Sequence, residues 1–196
     1  IKIGPDGAIY VLDFYDAILG HGEVDFYHPA RNKGQGRIWR ISAKDRPLVK
    51  APLIFGAPVA KLLNHLKAAE QYTRHQAKRE LAARGGDAVL PELTRWIDAL
   101  DAAGPKFEHH LLEALWLRGS LMAPDPDLLT RVCTASSHQT RAAGTRMISH
   151  WFDDLPGAID MLAKAVVDQH PRVRLEAVNA LREVGTLKAF IVAMRA

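Results

Sequence analysis

The fold of this chain is decided by the stretch His170-Pro-Arg-Val-Arg-Leu-Glu-Ala-Val-Asn-Ala-Leu-Arg-Glu-Val-Gly185. Pro171 suits the first position of a helix, where no backbone donor is required. Gly185 provides the left-handed residue that commonly ends a helix. The apolar residues between them fall on one face at helical spacing, at Val173, Ala177, Ala180, Leu181 and Val184. Because one helix cannot bury such a face alone, the stretch predicts a stacked neighbour.

The same pattern recurs upstream in the chain. The motif Arg-x-x-(Ala/Gly)-x-x-x-(Leu/Ile) begins at Arg74, Arg141 and Arg174. Positions 141 and 174 are 33 residues apart, and positions 74 and 141 are 67 apart, close to two such periods. We expect an intervening copy within residues 107–117, in a register that the residues do not fix. A period of this length with two helices in each unit is typical of an α-solenoid.

Helical patterns fill the chain from Pro58 to its end. Apolar spacing and turn residues predict nine helices, at about 58–68, 71–84, 87–101, 105–119, 125–135, 138–152, 156–168, 171–184 and 186–195. The second helix of each pair has a small residue such as Ala177, where two backbones must approach closely. Roughly four helix pairs are expected.

The beginning of the chain has strand patterns instead. Residues 1–15 read as a strand, a tight turn at Gly4-Pro-Asp-Gly7 and a second strand, and residues 36–42 read as a third strand. Three strands alone would leave open edges and little core, so we expect them to belong to a larger sheet that precedes Ile1. The predicted division is a partial β-blade with a long loop at 1–44, a linker at 45–57 and a helical domain at 58–196.

Composition limits the classes of function. The chain has 196 residues, a net charge of +4 and 48% apolar residues, which permits a sizeable core. From residue 51 onward, 18 basic residues nearly cancel 16 acidic ones, so a nucleic-acid partner is not favoured. Cys133 is the only cysteine, which excludes an internal disulfide, a CxxC zinc pair and a CxxCH haem motif within this sequence. No run approaches the roughly eighteen apolar residues of a membrane span.

Two parts of the sequence resemble known families. The stretch Pro171-Arg-Val-Arg-Leu-Glu-Ala-Val-Asn-Ala-Leu181 resembles the second helix of short bacterial HEAT repeats. Residues Gly4-Pro-Asp-Gly-Ala-Ile-Tyr-Val-Leu-Asp-Phe-Tyr15 and Gly36-Arg-Ile-Trp-Arg-Ile41 resemble the last blade of a quinoprotein-like propeller of the glucose/sorbosone dehydrogenase kind. The order of these parts is similar to large membrane-bound dehydrogenases of planctomycete-type bacteria.

This resemblance implies properties of a larger parent protein. It implies an oxidoreductase that acts on a sugar or alcohol, located in the periplasm or cell envelope, with a PQQ-like quinone and c-type haem as possible cofactors. The implied partners are the remaining propeller and a cytochrome c domain. The other blades and the CxxCH motif are missing from this sequence, so we expect no complete active site, no catalytic residue and no cofactor within it.

A long connection joins the second and third strands. It is rich in groups that bind or titrate, and with the end of the second strand it supplies the candidates for a ligand- or cofactor-facing loop: Asp13, Tyr15, His21, Asp25, His28 and Arg31. A histidine and a carboxylate on one loop are suited to general acid–base catalysis or to binding a ligand. The alternative is a surface loop whose residues only pair with one another.

The periodic arginines and the tryptophans each have two interpretations. Arg74, Arg141 and Arg174 are expected to form contacts within each repeat, or else an anion-binding interaction ridge. Trp96, Trp116 and Trp151 lie in three different predicted helices, where they belong either to the core or to an aromatic binding surface. The adjacent pair His109-His110 cannot chelate a metal together, because neighbouring helical residues point in different directions.

Three functions from different classes follow from the sequence. The first is a helical scaffold that binds a protein partner within the larger dehydrogenase. The second is an enzyme part, in which loop 16–35 contributes to a substrate or cofactor site of the propeller. The third and most remote is a HEAT-like protein that binds nucleic acid, which would show a steep dependence of affinity on salt.

Overall fold

The computed structural model describes residues 1–13, 16, 18 and 24–196. The chain divides into two compact units: residues 1–53 with 69–73, and residues 54–68 with 74–196. Helix predominates, and a small antiparallel sheet lies at the N-terminus, which confirms the predicted mainly helical class with a small β segment. The division at residues 44 and 57 stays a prediction. Across the described part of the chain, no helix has both the length and the apolar character needed to cross a membrane.

The sheet contains three antiparallel strands in sequence order. They are β1 at Lys2–Ile3, β2 at Ile9–Asp13 and β3 at Arg37–Ile41. The β2–β3 register pairs Ile9 with Ile41 and Asp13 with Arg37. The turn between β1 and β2 forms as predicted, because Gly7 has a φ of +78° and the Asp6 carboxylate accepts a hydrogen bond from the Ala8 amide at 3.1 Å.

The register of the strands divides the side chains between two faces, and both faces carry exposed apolar residues, since Leu12 and Ile38 lie on the same face as Arg40. One face has an apolar set at Ile3, Ile9, Val11, Trp39 and Ile41, and four of these residues, all except Val11, are exposed. On the other face Arg40 donates to Asp6 at 2.6 Å, and the Tyr10 hydroxyl donates to the same carboxylate at 3.1 Å. The Arg40 guanidinium holds the pKa of Asp6 below its usual value. An apolar sheet face of this kind needs a covering layer.

The helices follow the predicted order. Within the described residues there are nine, at α1 Val59–His65, α2 Gln71–Arg84, α3 Gly86–Asp98, α4 Phe107–Ser120, α5 Pro126–Cys133, α6 His138–His150, α7 Ala158–Ala165, α8 Pro171–Val184 and α9 Leu187–Ala193. The nine predicted helices are confirmed, with ends that differ by a few residues. Helix α6 ends before residue 152, for example, because Phe152–Asp154 form a 3-10 turn.

Helix α8 has the termini that its sequence predicts. Pro171 occupies the first turn, and the His170 ring nitrogen Nδ1 accepts a hydrogen bond from the Arg172 amide at 3.2 Å. Gly185 ends the helix in the left-handed region, with a φ of +65°. The buried face of α8 contains the predicted apolar stripe and one unexpected carboxylate, Glu176, which is 5% exposed.

Sequential helices form the core of the second unit. Helix α6 packs against α5, α7 and α8, while α8 also packs against α7 and α9, and α4 packs against α3, α5 and α6. Leucine is the commonest residue of the core, and its fully buried members include Leu81, Leu93, Leu115, Leu129, Leu162 and Leu181. Ala77 and Ala177 are completely buried at the small-residue position of the repeat. Close packing of this kind leaves little room for a larger side chain there.

Gly144 occupies the small-residue position in α6. A β-carbon at this residue would lie 2.8 Å from Cγ1 of Val132, 3.0 Å from the Cys133 sulfur and 3.3 Å from the Cys133 amide nitrogen. Two of these neighbours belong to side chains of α5, and the third is backbone, so α5 and α6 would have to separate. The close approach explains why the α6 copy of the repeat has glycine where α2 and α8 have alanine.

Replacing this glycine should therefore destabilise the protein. We expect Gly144→Ala to lower the free energy of unfolding by about 1–2 kcal/mol, because the overlap outweighs the higher helix propensity of alanine. Urea unfolding followed by circular dichroism measures the change. Gly119→Ala is the matched control, since its β-carbon meets mainly the end of the flexible Met147 side chain. Equal free energies for Gly144→Ala and the unmodified chain would contradict the prediction.

Candidate interaction surface

Each periodic arginine is bound to the turn that precedes its own helix. The Nη1 atom of Arg74 donates to the Ala68 carbonyl at 2.8 Å, and that of Arg141 donates to the Ala135 carbonyl at 2.9 Å. Arg174 donates in the same way to the Asp168 carbonyl at 3.0 Å. In all three cases the acceptor lies six residues before the arginine. The arginine thus satisfies a carbonyl just beyond the end of one helix and fixes the turn into the next.

Two of these arginines also reach carboxylates. Arg74 donates to Glu113 at 2.8 Å, and Lys78 donates to the second oxygen of the same carboxylate at 2.5 Å. Arg141 binds Asp168 in a bidentate manner, with distances of 2.8 and 3.0 Å. Such paired bonds between a guanidinium and a carboxylate are the strong kind of charged hydrogen bond. They join α2 to α4, and α6 to the turn before α8.

A third ionic contact joins α6 to α8. The Arg146 guanidinium donates to both oxygens of Glu176, at 2.9 and 2.6 Å, and Arg172 lies 3.0 Å from the same carboxylate. The side chains of Glu113 and Glu176 are only 1% and 6% exposed, whereas those of Arg146 and Arg172 are more than half exposed. Each buried carboxylate is therefore shared by two cations, which lie closer to solvent than the carboxylate does.

The charged contacts shift the pKa values of their members in the expected directions. The Arg141 guanidinium holds the pKa of Asp168 below its usual value, although burial acts the other way. The Glu176 carboxylate raises the pKa of Arg146. Burial acts to raise the pKa of Glu108, whereas hydrogen bonds from the Ser137 and Ser136 amides lower it. The pKa of Glu108 lies below its usual value as a result. Asp168 and Glu108 are therefore charged in the folded protein at neutral pH.

The structure thus brings Arg141 and Arg174 together at Asp168 and leaves Arg74 at a separate carboxylate, Glu113. The bonds to the carbonyls six residues earlier lie within one helix pair, as expected, whereas the bonds of Arg74 to Glu113 and of Arg141 to Asp168 join successive pairs. The anion-binding ridge stays a prediction, and any anion there would compete with the carbonyls and carboxylates already bound.

Sequence reasoning missed the acidic partners, which are Glu108, Glu113, Asp168 and Glu176. Only Arg172 and Glu176, spaced four residues apart on one helix, gave a local indication of pairing.

An open cavity lies beside these contacts. Its volume is about 620 Å³, and its lining includes Lys78, Trp116, Met122, Met147, His150 and Trp151. We call it the Trp116 cavity. The Lys78 ammonium lies 4.8 Å from the centre of the Trp116 ring, within the range of a cation–π contact. A second cavity of about 310 Å³ shares His150 and is lined by Arg146, Glu176, Asn179, Arg182 and Glu183.

The tryptophans divide between the two interpretations. Trp96 and Trp151 are 8% and 4% exposed and belong to the core. Trp116 is half-buried, and its accessible part lines the cavity named after it. Of the histidine pair, His109 lies 3.5 Å from Glu113 and His110 packs edge-on against Trp96. Within the described residues, no three side chains of the metal-binding types form a cluster that could hold a metal ion.

The described part of the loop is organised by Arg31. Its guanidinium donates to the Val24 and Asp25 carbonyls at 2.9 Å and to the Asp16 carboxylate at 3.2 Å. Asp25 and His28 act within the loop, where their side chains accept hydrogen bonds from the amides of Tyr27 and Ala30.

The remaining candidates are Asp13, Tyr15 and His21. Asp13 accepts a hydrogen bond from the Trp39 indole at 3.2 Å and lies 3.7 Å from Arg37. Tyr15 and His21 lie outside the described residues. The side chains of Asp25, His28 and Arg31 are therefore bonded within the loop, whereas Asp13 of β2 is bonded to β3.

The quinone and haem implied by the resemblance belong to the parent protein and stay predictions. Covalent haem attachment requires two cysteines, and this sequence has only Cys133. Burial raises the pKa of the Cys133 thiol to about 12, and the residue packs against the core as a small apolar group.

Comparisons with known proteins match only the first part of the chain. Residues 1–45 match a family described as "Domain of unknown function (DUF7133)". These residues include the sheet and the long loop but none of the helices. No curated protein and no solved structure matches the chain significantly. The chain is therefore similar to this domain family over the β segment alone.

Proposed function

We propose that residues 58–196 are a HEAT-like α-solenoid that serves as a protein-interaction scaffold within a larger sugar- or alcohol-type dehydrogenase. The observation that supports the scaffold is the surface formed by α2, α4, α6 and α8. There, each of two buried carboxylates is shared by two cations, of which Lys78 lines the Trp116 cavity and Arg146 and Arg172 are exposed. The threefold recurrence of the arginine bond to the carbonyl six residues earlier supports a repeat architecture. The dehydrogenase context rests on the sequence resemblance.

The surface is better suited to binding than to chemistry. Its carboxylates are held by cations, and the pKa of the one cysteine is raised far above neutral. A general acid or base needs a pKa near the working pH, and a nucleophile needs an activating neighbour. Protein interfaces commonly have an apolar centre and a polar rim. On this surface the cavity corresponds to the apolar centre and the neighbouring cations correspond to the polar rim.

Site-specific cross-linking in the source cells tests the scaffold function. A photoreactive amino acid replaces Asn179, an exposed residue that lines the second cavity, or Thr94, an exposed residue of α3 outside both cavities. We expect a discrete adduct with a second protein from position 179 only. Adducts of equal yield at both positions, or none at position 179, would exclude this surface as the binding site.

A second candidate function concerns the loop of residues 16–35. The observation that favours it is the fixed geometry around Arg31, whose guanidinium connects residues 16 and 18 to residues 24 and 25. Binding and catalytic residues are often found on loops that a rigid framework holds in place. In this alternative the loop contributes His21, His28 and nearby acids to a substrate or cofactor site of the parent protein.

Alanine substitutions separate this alternative from the scaffold. In the full-length protein, His21→Ala and His28→Ala should lower turnover with an artificial electron acceptor if the loop contributes to the site. Arg95→Ala, which removes exposed contacts with Glu92 and the Pro91 carbonyl, is the matched control. Unchanged turnover in both histidine variants would rule out an enzymatic role for these side chains.

A further inference from the structure

Two histidine rings stack between the N-termini of α6 and α8. The ring centroids of His138 and His170 lie 3.6 Å apart, and the ring planes differ by only 12°. His138 is the first residue of α6, and His170 is the N-cap residue of α8. Both residues are half-buried. We call this contact the histidine stack, and it joins the starts of two helices that belong to successive pairs.

The hydrogen bond at the start of α8 requires a neutral His170 ring. The Arg172 amide donates to the ring nitrogen Nδ1 at 3.2 Å. A ring nitrogen accepts a hydrogen bond only when it carries no proton, so the single proton of the neutral ring is on Nε2. A second proton, taken up from solvent at Nδ1, turns the acceptor into a donor that faces the Arg172 amide. Protonation of His170 therefore removes the side-chain cap of α8.

The surroundings of the ring oppose that protonation. Burial and the neighbouring His138 ring lower the pKa of His170 below its usual value. Arg141 of α6 and Arg174 of α8 lower this pKa further, whereas the Asp168 carboxylate acts to raise it. Asp168 already accepts two hydrogen bonds from Arg141 and one from the His170 amide. The positive N-terminal end of α8 also disfavours a cation at its cap.

Three further charged side chains lie on the elements around the histidine stack. Glu108 of α4 accepts hydrogen bonds from the backbone amides of residues 136–137, just before α6. Lys164 of α7 lines one cavity together with Asp168, and Arg172 of α8 is paired with a buried carboxylate. An added positive charge on the stack thus meets mainly other cations, because both nearby acids are already bonded.

We propose that the histidine stack is a pH-sensitive contact, which holds the start of α8 against the start of α6 in the neutral protein and is released in mild acid, when His170 takes up a proton. Release ends both the stacking of the rings and the hydrogen bond from the Arg172 amide. The joint between the two helix pairs is weaker as a result. This inference does not depend on the proposed scaffold function or on its partner.

Hydrogen exchange of the Arg172 amide, followed by NMR on the full chain, tests the proposal. After correction for the intrinsic exchange rate, its protection should fall by about fivefold between about pH 7.5 and pH 5, because an N-cap bond is lost. His170→Asn should show no such fall, since asparagine is a good N-cap residue that does not titrate. His75→Asn replaces an exposed histidine of α2 and is the matched control, which should behave like the unmodified chain.

The stability of the protein should change in the same direction. Because the pKa of His170 in the folded protein is below 6.5, the unfolded chain takes up this proton first as the pH falls. The contribution of the stack is therefore fully present above pH 6.5 and is lost as the pH falls through the folded pKa. Over this range, the midpoint of thermal unfolding should fall by about 2–4 °C more in the unmodified chain than in His170→Asn.

A third variant tests the stack itself. His138→Phe keeps a ring that can stack but removes a neighbouring group that lowers the pKa of His170, so the NMR titration of the His170 ring should move towards pH 6.5. An unmoved titration shows that the two rings are not coupled and overturns the proposal. A constant protection of the Arg172 amide in the unmodified chain, or an equal fall in His170→Asn, overturns it as well.

Discussion

The Glu113→Ala variant is expected to lose about 2–4 kcal/mol of its free energy of unfolding, because removal of one member of a buried ion pair leaves its partners uncompensated. The Glu113 side chain is 1% exposed, and it holds the Arg74 guanidinium and the Lys78 ammonium, whose side chains are only 15% and 17% exposed. Without the carboxylate, two like charges remain close together near a dry interior. Urea unfolding measures the loss through the transition midpoint at constant slope.

Two controls separate charge from packing at this site. Glu113→Gln keeps the shape and one acceptor oxygen, so its loss should be smaller but still clear. Glu92→Ala removes an exposed partner of Arg95 and should change the free energy by no more than about 0.5 kcal/mol, as is usual for a surface pair. If the Glu113 and Glu92 variants were equally stable, the buried carboxylate would have no part in joining α2 to α4.

The second large effect is expected at Arg141. The Arg141→Ala variant loses two bonds to the Asp168 carboxylate and one each to the Ala135 and Ser136 carbonyls. We expect a loss of about 2–4 kcal/mol, because the carboxylate and carbonyls remain half-buried without their donor. Arg141→Lys keeps the charge but cannot form four bonds in this geometry. Its stability should therefore lie between that of Arg141→Ala and that of the unmodified protein.

The dependence of stability on pH identifies the cause of that loss. The pKa of Asp168 in the folded protein lies below its ordinary value of 3.8, chiefly because of Arg141. This contribution is therefore fully present above pH 3.8 and is lost as the pH falls through the folded pKa. In Arg141→Ala, the pKa of Asp168 should return towards 3.8, so the difference in stability between the two proteins should shrink in acid. A difference that stays constant down to the lowest pH would indicate lost packing and not a lost ion pair.

Local sequence patterns predicted the helices well. Helices α2 and α8 have the bounds that apolar spacing, Pro171 and Gly185 predict. The periodic arginines are also locally determined, because each binds a carbonyl only six residues away. Such contacts are short in sequence and recur with the repeat, so one good copy identifies the others.

The partners of the charged side chains were not predictable in the same way. Glu113 lies 39 residues from Arg74, and Glu176 lies 30 residues from Arg146. Which acid meets which base depends on how neighbouring helices are rotated about their axes, and the periodicity of one helix does not determine this. The positive φ of Met122 was missed for another reason, since such a conformation at a non-glycine residue runs against local preference. Two of the predicted loop residues, Tyr15 and His21, stay untested.

Asp168 has a consequence for how the helical part unfolds. Its carboxylate accepts hydrogen bonds from the Arg141 guanidinium of α6 and from the backbone amide of His170. Its backbone carbonyl accepts a hydrogen bond from Arg174 of α8. One residue thus joins two successive helix pairs, and neither can open without breaking bonds of the other. Coupling between neighbouring units makes the melting of a repeat protein cooperative. Backbone amides of α6 and α8 should therefore exchange with deuterium together, in a single opening event.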